Sequence, residues 1–236
     1  LITNEVTKGE ENIIQAVESE ENGDSIDEQD TGTEETEVNG DENNDYQQLS
    51  IADAKAEPEG AKVEIEGVVT AEWGLLESKY VWLQDGEAGL SVKFEEDPQL
   101  TSGDKVWIKG KRKNLTYREV VEVEDWKKTG DSEEIAKIIK TGEMNLDEDR
   151  LVKITGNVVT TNGNDFTIND GNGESRVYIK ENTGIIKPEM KKGDTVEVQG
   201  IVNEIKSGWR ILPRYQDDVT KSDQKLVLPS VGLIIW

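Results

Sequence analysis

Aromatic and cationic side chains alternate along several short stretches of this 236-residue sequence. In "YVWLQDGEAGLSVKF" (80–94), Tyr80 and Trp82 fall on one face of an extended chain, and Lys93 follows on the next predicted strand. A second stretch repeats the pattern with Arg176, Tyr178 and Lys180. Because aromatic rings stack on nucleobases and cations contact phosphates, faces of this kind are suited to single-stranded nucleic acid.

The candidate binding residues extend beyond these two stretches. The segment "KGKRKNLTYR" (109–118) is the densest basic cluster, and it also contains Arg118. The full candidate set is Trp73, Tyr80, Trp82, Lys93, Lys109, Lys111, Arg112, Lys113, Arg176, Tyr178, Lys180 and Arg210. The alternative is that such rings cover the surface of a small domain or pack between two domains, with Trp107 and Trp209 as the expected packers.

Residue types that most enzymes require are missing. The sequence has no cysteine and no histidine, which excludes disulfides, thiolate chemistry, imidazole bases and the usual zinc ligands. Carboxylates remain, in "EED" (95–97), "DED" (147–149) and "DD" (217–218), and short acidic runs of this kind are typical of solvated turns. We therefore expect no catalytic site, no metal site and no cofactor.

The charge of −24 is unevenly distributed. Residues 1–50 contain 16 acidic residues and one lysine, whereas residues 51–236 contain 35 acidic and 26 basic residues. The composition of residues 1–48 predicts a disordered acidic linker, since so polar a segment cannot bury enough apolar surface to fold. The remaining negative charge predicts that any binding of nucleic acid is weak and sensitive to salt.

One phrase, Gly-Asp-x-Val-x-x-x-Gly, occurs in both "SGDKVWIKG" (102–110) and "KGDTVEVQG" (192–200). Three further blocks match in the same order: "KVEIEGVVT" with "LVKITGNVVT", "YVWLQDGEAGLSVKF" with "DFTINDGNGESRVYI", and "EVEDWKK" with "LPRYQDD". Four matching blocks in one order indicate an internal duplication.

Each copy consists of short segments in which apolar and polar residues alternate, which is the pattern of half-buried strands. The residues predicted to point inward are Val63, Ile65, Val81, Leu83, Leu90, Val92, Phe94, Val106 and Ile108, and then Val152, Ile154, Phe166, Ile168, Val177, Ile179, Val196 and Val198. Five strands per copy, with a long connection after the third, predict an all-β protein of two tandem OB-fold (Greek-key) barrels. An immunoglobulin-like sandwich is the alternative, but it requires about seven strands.

The predicted organisation has five parts. After the linker (1–48) come an OB-fold domain (49–130), a connecting helix (131–145), a second OB-fold domain (146–220) and a C-terminal tail (221–236). The helix is predicted because Ile135, Ile138 and Ile139 have helical spacing and Ser132 can cap the first turn.

The blocks "KVEIEGVVT…YVWLQDGEAGLSVKF…LTSGDKVWIKGK" and "SRVYIKENTGIIKPEMKKGDTVEVQGIV…GWRILPRYQDDV" resemble the OB domains found in tandem in bacterial secreted nucleases and related cell-surface proteins. The resemblance covers residues 49–219 and implies an extracellular or surface-anchored binding module beside a nuclease or uptake partner. It does not imply an activity, since such domains accompany several kinds of partner. This sequence contains no nuclease catalytic domain.

The last residues, "KSDQKLVLPSVGLIIW" (221–236), resemble a sortase sorting signal, but Val231 stands where such signals have threonine. The apolar run "VGLIIW" is far shorter than the ~20 residues that span a bilayer. We expect a fragment in which this run begins a membrane anchor, and the alternative is a frayed apolar tail. The leading functional prediction is non-enzymatic binding of single-stranded or irregular nucleic acid. The alternatives are a protein- or glycan-binding adhesion module and a structural spacer.

Overall fold

The structure is a computed structural model that describes residues 45–222. Most of the predicted acidic linker (1–48) and of the predicted tail (221–236) lies outside the described residues, and so do the sorting-like motif and the apolar run. Within residues 45–222, no helix is long and apolar enough to cross a membrane.

The first barrel has the strand order of an OB fold. It is entered through strand β1 (Gln47–Gln48) and helix α1 (Ile51–Ala56), which is capped by Ser50. Its five strands are β2 (Lys62–Ala71), β3 (Tyr80–Gln84), β4 (Gly89–Lys93), β5 (Asp104–Asn114) and β6 (Glu119–Asp131). They pair in the order β2-β3-β4-β6-β5, and β5 pairs again with β2, so the sheet closes.

The second barrel repeats this arrangement. It is entered through strand β7 (Lys137–Ile138), and its five strands are β8 (Leu151–Asn162), β9 (Asp165–Asn169), β10 (Glu174–Tyr178), β11 (Thr195–Ile205) and β12 (Gly208–Leu212). The order is β8-β9-β10-β12-β11, and β11 pairs with β8. Two 3-10 turns, Glu181–Thr183 and Gln216–Asp218, and a final strand β13 (Val219–Ser222) complete it. The prediction of two five-stranded OB barrels is confirmed.

The apolar alternation produces the two barrel cores as predicted. Every residue predicted to point inward is buried, in one cluster for the first barrel and another for the second. Ala54 of α1 closes the first cluster, and Met144 closes the second. Each barrel therefore has its own core, with a plug at one end.

The repeated Gly-Asp phrase marks the same contact in both barrels. A Cβ at Gly110 would lie 2.2 Å from the carbonyl oxygen of Glu122, and a Cβ at Gly200 would lie 2.5 Å from that of Leu212. Any larger residue would push the fourth strand away from the fifth. The glycine that ends each phrase is thus required by the close approach of the neighbouring strand.

The helix predicted for residues 131–145 is wrong. This segment contains strand β7 and turns instead, and Ile135 and Ile138 are 72% and 81% exposed. It is the second copy of the entry segment, because β7 pairs in parallel with β8 as β1 does with β2. Gly142, at φ +84°, lies where the first copy has α1, and a helix cannot continue through that conformation.

A third apolar cluster joins the barrels. Ala71, Leu76 and Trp82 of the first barrel pack against three residues of the second, which are Leu151, Ile201 and Leu212. Trp82 is 1% exposed, and its indole N–H donates to the Asp149 carboxylate at 2.9 Å. We call this cluster, with Asp149, the junction. The expectation that Trp107 and Trp209 pack between the domains is wrong, because neither belongs to the junction.

A buried ionic network lies beside the junction. Arg214 of the second barrel is 1% exposed and donates to both Asp218 and Glu134. It also donates to the backbone carbonyl of Thr70 in the first barrel. Tyr215 extends the network by donating to Glu72 at 2.6 Å. Hydrogen bonds from charged groups therefore add to apolar contact in holding the barrels together.

Replacing Arg214 with leucine is expected to lower the free energy of unfolding by about 3–5 kcal/mol, because Asp218 and Glu134 lose their buried counter-charge. Urea denaturation of the full chain measures this loss. The control is Arg176→Leu, which breaks the more exposed pair with Asp165 and should cost about 1 kcal/mol or less. Equal losses in the two variants would contradict a stabilising role for the network.

Candidate ligand-binding cleft between the barrels

The cations predicted on the outer wall of the first barrel are paired with carboxylates. Lys93 contacts Glu95 and Glu122, and Lys111 contacts Glu124 at 2.6 Å. Lys109 lies 3.7 Å from Glu64, and Arg112 is buried and contacts Glu119. Of the predicted cations on this wall, only Lys113 has a side chain with no hydrogen bond or ion pair to a residue between 45 and 222. The wall is therefore electrically balanced rather than a track for phosphates.

The rings predicted to stack bases are mostly covered. Trp82 lies in the junction, Trp73 packs against the first core, and Tyr80 is partly buried beside the junction. The prediction that Trp82 stacks on a base at the open barrel wall is therefore wrong. The physical reason is that the second barrel covers the outward face of β3.

Of the predicted residues of the second barrel, one lies in an ion pair within that barrel and three lie next to the first barrel. Arg176 makes a bidentate pair with Asp165, whereas Tyr178 packs at the junction under the guanidinium of Arg210, 4.9 Å from the ring centre. The Lys180 ammonium donates to the backbone carbonyl of Leu76 in the first barrel. Lys180 and Arg210 thus lie next to the barrel boundary.

These residues line a cleft of about 610 Å³ between the barrels. One wall is the hairpin that joins β5 to β6, residues 114–118, and the other is formed by residues 203–205 of β11. The lining also contains Tyr80, Trp82, Lys180, Arg210 and Leu212. The volume is in the range of small-ligand sites, and the loop between strands four and five is one that OB folds use for binding.

Arg118, which belongs to the basic run noted in the sequence, is the cation at the centre of the cleft. Its guanidinium lies 4.8 Å from the ring centre of Tyr80 and 5.5 Å from that of Trp82. Nη1 donates to Glu77 at 3.0 Å, but the buried Nε and Nη2 have no hydrogen-bond partner among residues 45–222. Because buried donors without partners are costly, a ligand acceptor that reached them would be bound favourably.

The cations of the cleft are crowded. Burial lowers the pKa of Lys180 below its usual value; the charge of Glu77 opposes this shift, and the charges of Arg210 and Arg118 add to it. Burial and the neighbouring charge of Arg176 likewise lower the pKa of Arg210. Burial opposes the charge of Arg118 too, but its hydrogen bond to Glu77 raises the pKa overall. An anion in the cleft would relieve this mutual repulsion.

The acidic run 95–97 is exposed, as the sequence predicted, but the other two runs are not simply solvated turns. Asp147 and Asp149 of the "DED" run are buried, and Asp218 of the "DD" run is held by Arg214. Asp147 accepts from Lys137 and Glu148 pairs with Lys55. Among residues 45–222, no group of three acidic side chains is arranged to hold a metal ion. The composition of the runs gave no sign of this structural role.

No family profile matches the sequence, and no curated protein matches it. Among solved structures, the chain is similar to a murine DNA-binding protein bound to double-stranded DNA, with 10% identity, a TM-score of 0.35, and coverage of 67% of this chain and 97% of that one. It is also similar to the tetrameric p202 HIN2, with 14% identity, a TM-score of 0.34, and coverage of 70% of this chain and 95% of that one. A third similar structure is the hypothetical protein ygiW from E. coli, with 15% identity, a TM-score of 0.31, and coverage of 35% of this chain and 90% of that one.

Similarity at this level does not determine a ligand for this chain. The OB assignment rests on the strand order of the two barrels themselves. None of the three structures named here is described as a bacterial secreted nuclease, so that part of the sequence resemblance stays a prediction.

The buried carboxyl group of Asp149 makes the stability of the folded protein depend on pH. Burial raises the pKa of Asp149 above its unfolded value of about 3.9, although Lys55 and Arg118 oppose the shift. The contribution of Asp149 to stability is therefore complete below that unfolded value and is lost as pH rises through the folded pKa.

Asp149→Asn removes this titration and keeps an acceptor for the Trp82 indole. The free energy of unfolding of the wild-type protein, relative to that of Asp149→Asn, should therefore fall as the pH rises from about 4 to 8. Urea denaturation at several pH values measures the difference. A difference that stays constant, or that grows in favour of the wild type, would contradict the raised pKa.

Proposed function

We propose that this chain is a non-enzymatic binding module for single-stranded or irregular nucleic acid, and that the cleft between the barrels is its binding site. The observation that carries the proposal is the convergence of Arg118, Lys180 and Arg210 on a cleft lined by aromatic rings. Cations next to rings are what single-strand binding requires, since the backbone needs charge and the bases need stacking partners.

The site differs from the one predicted on the barrel walls. Tyr117, on the hairpin of the cleft, is 39% exposed and is the ring most open to a base. Arg118 and Arg210 present planar guanidinium groups, which stack on bases as well as pairing with phosphates. Because the wall lysines that form ion pairs are already neutralised, we expect a short binding site and weak, salt-sensitive affinity, with a slope set by the few cations of the cleft.

A protein-binding adhesion module is the second candidate, and a pair of exposed aliphatic side chains favours it. Ile138 and Leu146 are 81% and 83% exposed and line one surface depression. Contiguous exposed apolar surface can mark a site of protein contact. An exported, surface-anchored location, with a nuclease or uptake partner, also belongs to the proposal. The location and the partner are supported only by the resemblance to tandem OB domains. The expectation that the chain is not an enzyme rests on the absence of cysteine and histidine from the sequence.

Binding is tested by titrating a labelled oligothymidylate and measuring its fluorescence anisotropy between about 50 and 200 mM salt. Lys180→Gln with Arg210→Gln should weaken binding and reduce the slope of log affinity against log salt by about 0.7 for each cation removed. Lys113→Gln, which changes a cation outside the cleft, should leave affinity and slope unchanged.

Two results would count against the proposal. An equal loss of affinity in Lys113→Gln would contradict the cleft as the site. Absence of binding to single strands even at low salt would favour the adhesion module. Trp82→Ala is unsuitable as a binding variant, because removing so large a buried side chain costs about 3–5 kcal/mol and tests folding instead.

A further inference from the structure

The cations of the cleft have hydrogen-bond donors that the described part of the protein leaves unused. Among residues 45–222, Arg210 donates only through Nε, to Asn203 at 3.0 Å, and the buried Nε and Nη2 of Arg118 have no partner. Lys180 uses one of its three N–H groups, toward the carbonyl of Leu76. These donors belong to three separate side chains that line one cleft.

The number of acceptor oxygens distinguishes two kinds of phosphate as ligands. The lining cations are Arg118, Lys180 and Arg210, and the lining carboxylates are Glu77 and Glu204. Glu77 is bound to Arg118, and its charge also acts on Lys180 and Arg210. A phosphodiester has one negative charge and two free oxygens, whereas a phosphomonoester has a charge of about −1.5 to −2 and three acceptor oxygens. The phosphomonoester therefore offers one more acceptor to the donors of the three cations.

The surroundings of the cleft also favour a chain end over a continuous strand. The floor is closed by Trp82 and Leu212, which belong to the apolar junction. A strand that continued along the barrel walls would meet Lys93, Lys111 and Arg176, and each of these already has a carboxylate partner. Apart from Lys113, the predicted wall cations already have partners within residues 45–222, so the walls offer no continuous path of cations to a strand.

From this geometry we infer that the cleft binds a terminal phosphomonoester, as found at the phosphorylated end of a nucleic-acid strand, in preference to an internal phosphodiester. The inference rests on the proposed function and deepens it. Arg118, Lys180 and Arg210 hold the phosphate, and Tyr117 on the hairpin stacks on the terminal base. A free nucleoside monophosphate carries the same group and is the other source of this chemistry.

The test compares three oligothymidylates of one length: with a 5′-phosphate, with a 3′-phosphate, and with hydroxyls at both ends. We expect one phosphorylated strand to bind about tenfold more tightly than the hydroxyl strand, since the added group gains charge-assisted hydrogen bonds. Lys180→Gln with Arg210→Gln should bring all three strands to one affinity, whereas Lys113→Gln should preserve the preference. Matched urea denaturation shows that the variants remain folded.

Thymidine monophosphate, added as a competitor, separates the two sources. If thymidine monophosphate displaces the phosphorylated strand at a concentration close to that of the strand, the ligand of the site is a free nucleotide. If displacement needs a much higher concentration, the ligand is the end of a strand. Equal binding of all strands, weakened equally by the double substitution, would overturn the inference and leave the proposed function standing. A preference that survives the double substitution would overturn the inference, and absence of binding by every strand would overturn both.

Discussion

The burial of one indole ring determines how the two halves of this protein are arranged. Trp82 alternates outward on β3, so a single barrel would leave it on the surface. Covering it requires an apolar partner surface, which Leu151, Ile201 and Leu212 provide, and its N–H requires an acceptor, which Asp149 provides at 2.9 Å. Because a buried polar group without a partner is costly, these two requirements together fix the second barrel against the first.

The cleft follows from that arrangement. With Trp82 and Leu212 as a shared floor, the β5–β6 hairpin of one barrel faces the end of β11 in the other. Arg118 and Tyr80 come from the first barrel, and Lys180 and Arg210 come from the second. Neither barrel alone would bring these charges together. In a protein with a charge of −24, this concentration of cations is the feature that most needs a functional explanation.

The barrels themselves were predictable, because their signals are local. Alternation of residues such as Val63 and Ile65 determines which side chains point inward, and the repeated phrase gives the same strands twice. The junction was not predictable in this way, since Trp82 alternates outward in sequence and only the position of the other barrel decides that it is buried. The burial of Asp147 and Asp149 was not predictable either, because the composition of the run 147–149 favours a solvated turn.

The error over residues 131–145 has a different origin. Three isoleucines have helical spacing, but the segment is the second copy of the entry to the barrel. In this copy Ile139 corresponds to Leu49 and Met144 to Ala54. Gly142 was the available signal against a helix. For the candidate site, the sequence predicted Lys180, Arg210 and Tyr80, which the structure places on the cleft. The sequence did not distinguish the two cations from Lys93 and Lys111, which form ion pairs on the barrel wall.

Packing of Trp82 against the second barrel is tested most directly by a nuclear Overhauser spectrum of the full chain with labelled methyl groups. We expect cross-peaks between the Trp82 indole and the methyl groups of Leu151 and Leu212, which lie in the other barrel. If cross-peaks within each barrel are present and those between Trp82 and the second barrel are absent, the junction does not form and the cleft has no floor.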